Sequence, residues 1–225
     1  MSRSASRVTR LVIVAIVAAA VFVGFEVVRT LYALQGVEKA RDSWQRPEDV
    51  IRALALQPGD TVVDFGSGAG YFSRRLAPIV GAGGRVIAVD VRRQSLAFLW
   101  IRSVLRREWQ IDVVASAADD PRLPEGRIDA LLIVNAYHEL ADRATLLRQL
   151  QRPLKPGGRL VVADRRHAAD RPVHAGDTTH AVEPDIAERE IHAAGFTTVT
   201  RDDTFIRAAR CVSIAQHLTD LPPFR

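Results

Sequence analysis

A single cysteine, Cys211, and only two lysines, Lys39 and Lys155, stand among 225 residues. The lone thiol excludes an internal disulfide framework and any multi-cysteine zinc or iron–sulfur site; Cys211 reads as a small core residue in a strand. Arginine makes up for lysine, so positive charge is not scarce: 31 basic against 26 acidic residues give +5. What is lacking is a basic body. Residues 1–46 carry seven Lys/Arg against three Asp/Glu, while residues 47–225 carry 24 against 23. No nucleic-acid partner is expected, because such binders concentrate positive charge on the folded domain. Compact metal-ligand spacing is missing too. His167, His174 and His180 lie seven and six residues apart in a polar stretch, which matches no helical ligand pair, and no metal is expected. With 48% apolar and 25% charged residues, neither a disordered nor a collagen-like chain fits. The length suits one domain with a substantial core.

One long hydrophobic run is present. Residues 11–25 read LVIVAIVAAAVFVGF, and Val27 and Val28 continue past Glu26. The run stands at the short end of the roughly 20 residues a spanning helix needs. Arg3, Arg7 and Arg10 precede it in the manner of a signal peptide, yet no small-x-small cleavage site follows. Residues 1–28 are therefore read as an uncleaved single-pass anchor, in preference to the alternative of a cleaved signal. A buried layer helix would not need to be apolar all round. Basic residues flank both ends, so the positive-inside rule leaves the orientation open.

Residues 29–46 form a connector, and residues 47–225 the folded domain. Pro47-Glu48-Asp49 offers a helix start, with proline in the first turn and two acids at the positive dipole end. Short apolar runs then alternate with helical patterns: strands at 61–65, 85–90, 111–115, 128–134 and 158–164, and helices around 72–80, 95–108, 141–150 and 185–194. Two last strands are expected at 196–200 and 211–215. Continuous apolar strands separated by helices mean a mostly parallel sheet covered on both faces, an α/β Rossmann-like doubly wound fold.

The sharpest feature is VVDFGSGAGYF at 62–72, a strand running through three alternate glycines straight into a helix. Glycine is needed where the backbone takes positive φ or where a ligand lies on bare main chain. Such a turn forms the ligand crevice at the carboxyl ends of the strands. The second strand ends at Asp90, 24 residues after Gly66, where a carboxylate can accept hydrogen bonds from a ribose diol. The pattern is GxGxG rather than GxGxxG, and no GK[ST] follows.

Here the chain resembles the class I S-adenosylmethionine-dependent methyltransferases. VVDFGSGAGYFSRRLA looks like their first motif, VIAVDV like the acidic loop, and IDALLIVNAYHEL and LKPGGRLVVADRR like the fourth- and fifth-strand motifs, across roughly residues 44–220. More narrowly, Trp44-x-x-Pro47-Glu48, DPRLP at 120–124 and AYHE at 136–139 resemble a bacterial group of small methyltransferases. The resemblance implies a seven-stranded sheet with an antiparallel last strand, and S-adenosyl-L-methionine as cofactor. Gly66, Gly68 and Gly70 would line its methionine part, with Asp64 near the amino group and Asp90 on the ribose hydroxyls. Asp119 would meet the adenine amine, with Asp120 as the adjacent competitor. Asn135, just beyond the fourth strand, joins the cofactor set.

Methyl transfer from a sulfonium is an in-line displacement in which positioning supplies much of the acceleration, about 7–11 kcal/mol. A base is needed only where the acceptor must lose a proton. Tyr137, His138 and Glu139 are the candidates: His138 as base, Glu139 to orient it or merely to favour the dipole of the next helix. Asn135-Ala136-Tyr137 lacks both prolines of the amine-methylating [DNS]PP[YF] pattern, so planar base or glutamine amides are not the expected acceptors. Residues 165–184 form a long polar connection with the length of a substrate lid.

The expectation is thus a membrane-anchored methyltransferase acting on a small-molecule or lipidic substrate. Its domain is placed on the cytoplasmic face of the inner membrane because S-adenosylmethionine is a cytosolic metabolite. Two rivals stand beside it. A NAD(P)-dependent oxidoreductase would use a related sheet, though GxGxxG and a Tyr-x-x-x-Lys pair are missing. A non-catalytic methyltransferase-like binding module would keep the glycines without turnover. The acceptor and the oligomeric state are not written in the sequence.

Overall fold

A computed structural model describes residues 2–117, 120–165, 182–206 and 210–217. The chain divides into two compact units, residues 1–43 and 44–225. The first consists of helix α1 (Ser2–Gln45), whose last two residues enter the second unit. The connector over 29–46 is helical and continues the apolar segment: no proline or glycine pair breaks the helix before Arg46, which turns left-handed at φ 47°. The helix is long and apolar enough to cross a membrane, with an 18-residue window of mean hydropathy 2.8, none of it buried.

The second unit begins with α2 (Pro47–Ala53), whose N-terminal proline and Glu48-Asp49 behave as its start predicts. Then come β1 (Thr61–Phe65), α3 (Ser73–Val80), β2 (Arg85–Asp90), α4 (Arg93–Arg106), β3 (Ile111–Ala115) and β4 (Ile128–Val134). A single 3-10 turn at Tyr137–Glu139 leads to α5 (Arg143–Gln151). β5 (Leu154–Arg165), α6 (Pro184–Ala193), β6 (Phe196–Ile206) and β7 (Arg210–His217) follow. Helix α5 starts two residues later than its periodicity predicts. Asp142 accepts the Thr145 amide at 3.0 Å, which makes it the cap, not a helical residue, and holds its carboxyl below the usual range.

The strands lie in the order β3-β2-β1-β4-β5-β7-β6. The first five are parallel, while β7 runs antiparallel to both neighbours. β5 begins earlier than expected because Ile128 pairs with Leu154 before the Pro156-Gly157-Gly158 irregularity, and pairing resumes at Ala130 with Arg159. Alternate side chains feed two cores. On one face Val62, Val86, Ala88 and Leu132 meet Val50 of α2, Leu76 of α3 and Leu99 of α4. On the other Val63, Val89, Leu131 and Ile133 meet Leu147 of α5 and Ile191 of α6. Register brings Phe65, Asp90, Ala115, Val134 and Asp164 to one edge of the sheet. A parallel sheet opens its crevice there.

Candidate functional site at the strand carboxyl ends

The turn after β1 is held from below. The amides of Gly66 and Ser67 both donate to Val89 O, at 2.8 and 3.0 Å, and the Gly70 amide to Ser67 O at 3.0 Å. All three glycines take positive φ, at 78°, 55° and 88°, but for different ends. A Cβ on Gly66 would stand 2.6 Å from the Ala136 Cβ, so this residue lets the turn approach the tail of β4. A Cβ on Gly70 would stand 2.2 Å from Leu99 Cδ1, so this one lets α4 close in. Only Gly68 opens onto space, with nothing within 4 Å. The set expected to line one ligand thus divides into two packing glycines and one that faces outward.

Asp90 closes the turn. Its Oδ2 accepts the Gly68 amide at 2.8 Å and its Oδ1 the Arg92 amide at 2.7 Å, with the residue 8% exposed. Each carboxylate oxygen keeps a further lone pair for a ligand hydroxyl. Asp64 sits deeper, where Ser73 Oγ donates to its Oδ2 at 2.5 Å and ties the end of β1 to the start of α3. Buried Arg102 of α4 donates to Ala69 O at 2.7 Å, a support with no motif to announce it. The Ser67 hydroxyl is buried and has no hydrogen-bond partner among the described residues. A buried polar atom without a partner costs about 1–3 kcal/mol, so such an atom at the crevice points to a polar ligand.

Beyond β4 the four neighbouring candidates part company. Asn135 takes φ 52°, and its Nδ2 donates to Gln45 Oε1 at 2.9 Å across 90 residues. Its Oδ1 is buried with no partner among the described residues. Tyr137 is a correction to the sequence reading. It is fully buried, its hydroxyl donates to Glu190 Oε2 at 2.6 Å, and Glu190 also holds Arg143 at 2.8 and 3.0 Å. Burial, followed by the Glu190 carboxylate, raises the phenol far above its usual range. A phenol so engaged is a packing residue, not a proton-transfer group.

His138 is held by a residue that sequence reasoning left out. Asp164, at the end of β5, accepts His138 Nδ1 on Oδ1 at 2.8 Å and the His138 amide on Oδ2 at 2.9 Å. A carboxylate only accepts, so Nδ1 carries the hydrogen, and in the neutral imidazole the lone pair is on Nε2. Glu139 does not orient the imidazole: its Oε1 is 3.9 Å from Nε2, while its Oε2 pairs with Arg92 at 3.0 Å. Both partners of that pair are more than half exposed, so it adds little stability. ADRR in the fifth-strand motif was the signal for Asp164; what it lacked was a partner 26 residues away. Asp119 lies outside the described residues, as do His167, His174 and His180 and most of the polar connection. Asp120 accepts the Arg122 amide at 2.8 Å.

Residues 63–162 match a family profile described as a methyltransferase domain. The chain is 35% identical over 127 residues to a 2-phytyl-1,4-naphtoquinone methyltransferase of Synechococcus elongatus, covering 54% of this chain and 52% of that protein. It is 29% identical over 124 residues to a ubiquinone/menaquinone biosynthesis C-methyltransferase of Shewanella frigidimarina, covering 54% and 48%. The chain spans about half the length of these curated relatives. Among solved structures, a SAM dependent methyltransferase from Aquifex aeolicus superposes with a TM-score of 0.69 at 23% identity, over 80% of this chain and 93% of that one. The stretch matched by the family profile runs from within β1 through the glycine turn and into β5. Residues 63–162 thus match the methyltransferase-domain family, on a sheet with the fold of the Aquifex aeolicus S-adenosylmethionine-dependent methyltransferase.

Proposed function

We propose that the protein transfers a methyl group from S-adenosylmethionine to a lipidic, quinol-like acceptor and is held at a membrane by α1, with the domain on the cytoplasmic side. The carrying observation is the juxtaposition at one sheet edge of a turn open at Gly68 with the His138–Asp164 pair. The residues present fit the cofactor. Gly68 offers bare main chain, Asp90 has lone pairs for the ribose hydroxyls, and the Ser67 hydroxyl and Asn135 Oδ1 are buried with no partner among the described residues. Asp64 sits behind the turn as a buried carboxyl group for the amino group.

S-adenosylmethionine supplies an electrophilic methyl on a sulfonium. The rest falls to the protein. A quinol ring carbon that gains a methyl must lose its proton, and His138 Nε2 is the free base at that edge. Asp164 fixes the ring's orientation and stabilises the charge it acquires. Quinone-type acceptors come from the two relatives' named substrates; the apolar α1 supports delivery from a membrane.

The test is a radiolabelled-methyl assay on membrane lipid extract, paired with calorimetry on S-adenosylmethionine. Wild type labels the lipid fraction; His138→Ala loses about 10²–10⁴-fold in rate while cofactor affinity holds. Absence of heat with the cofactor overturns the whole proposal. Label entering only protein or water-soluble material overturns the lipidic acceptor. Equal rates for wild type and His138→Ala remove the histidine and leave the enzyme.

A further inference from the structure

Helix α4 is apolar on both sides. Leu96 and Leu99 are buried, yet Trp100 and Leu105 stand 60% and 69% exposed, Val104 lies beside them, and Trp109, just past the helix end, is 69% exposed. A cluster of exposed large apolar residues marks a contact surface. The charge pattern narrows what makes the contact. The fourteen residues of α4 contain no Asp or Glu, while Arg93 and Arg106 are exposed near its two ends.

We infer that the outer face of α4, together with Trp109, docks on an anionic lipid bilayer. Tryptophan rings settle at the level of the headgroups, aliphatic side chains enter the acyl boundary, and arginines meet the negative surface. A second copy is the poorer occupant. Two such faces would bring arginines together on helices that have no acid to pair with them. Where α1 spans a bilayer it would add avidity to such a contact. The inference does not rest on methyl transfer, nor on α1 spanning.

The experiment uses the full chain reconstituted into phosphatidylcholine–phosphatidylglycerol vesicles with brominated acyl chains. Two variants keep one reporter each: Trp44→Phe with Trp109→Phe leaves Trp100, and Trp44→Phe with Trp100→Phe leaves Trp109. Both are expected to show blue-shifted emission and bromolipid quenching, weaker in pure phosphatidylcholine. Leu105→Glu, at an exposed position, should lose most of the quenching while circular dichroism and heat of S-adenosylmethionine binding stay unchanged. Water-exposed emission without quenching, in protein that still pellets with vesicles, overturns the inference and spares the anchor. Blue-shifted emission that bromolipid leaves unquenched, with crosslinks between copies through α4, overturns it in favour of a dimer. If the chain fails to pellet, α1 is no anchor, and quenching at Trp100 and Trp109 on added vesicles decides α4 alone.

Discussion

The ends of β1 and β2 and the ends of β4 and β5 lie on the same sheet edge but are built by different means. At the first, main chain does the work: glycines at positive φ, amides aimed at Asp90, and a carbonyl pinned by Arg102. At the second, side chains do it: Asp164 grips His138, and Gln45 reaches Asn135. A site made from backbone tolerates almost no change in shape. A site made from side chains tolerates reshaping but not loss of a functional group.

The most severe way to break the first site is Gly66→Ala. Its methyl would meet the Ala136 Cβ, on backbone at φ 78°. Overpacking and a strained dihedral together cost about 2–5 kcal/mol of stability, readable by denaturant unfolding. Adding Ala136→Gly should return part of that loss and leave the dihedral share. Next comes Asp90→Ala, which strips the acceptor from two amides. Calorimetry should show about 1.5–3 kcal/mol of S-adenosylmethionine affinity lost.

The second site is sharpened by a change that should not touch chemistry. Tyr137→Phe removes the hydroxyl bound to Glu190 and is expected to cost about 0.5–1.5 kcal/mol of stability while turnover in the labelled-methyl assay stays at wild type. Loss of turnover would return Tyr137 to the reaction. The smallest effect is on pH. Burial raises the Glu190 carboxyl, but hydrogen bonds from Arg143 and Tyr137 outweigh it, so the folded-state pKa lies below the usual value. Its contribution is present above the ordinary carboxylate range and is lost as pH falls through the folded-state pKa. Unfolding midpoints of Glu190→Gln should therefore fall less steeply than wild type on the acid side.

The same contrast explains what could be read in advance. β1, β2, β3 and β4 lie where their apolar runs predict, because a strand buried on both faces leaves an unbroken signature in consecutive residues. The glycine turn and Asp90 were visible for the same local reason. Asp164 was not, although its motif was in view, since nothing in the spacing says which side chain faces His138 across two adjacent strands. Tyr137 misled because three neighbours in one motif suggested one shared task, whereas a 3-10 turn sends neighbouring side chains in different directions.

Sequence alone determined the parallel α/β sheet, the turn that bends beneath a ligand, the acid beside it and the apolar N-terminal helix. Each is written in residues close together along the chain, where periodicity and φ preference act. Tertiary structure alone decided which glycine faces the crevice, which carboxylate holds the histidine and which candidate is only core. Those are contacts across 26 to 90 residues, and they exist only once the strands lie side by side.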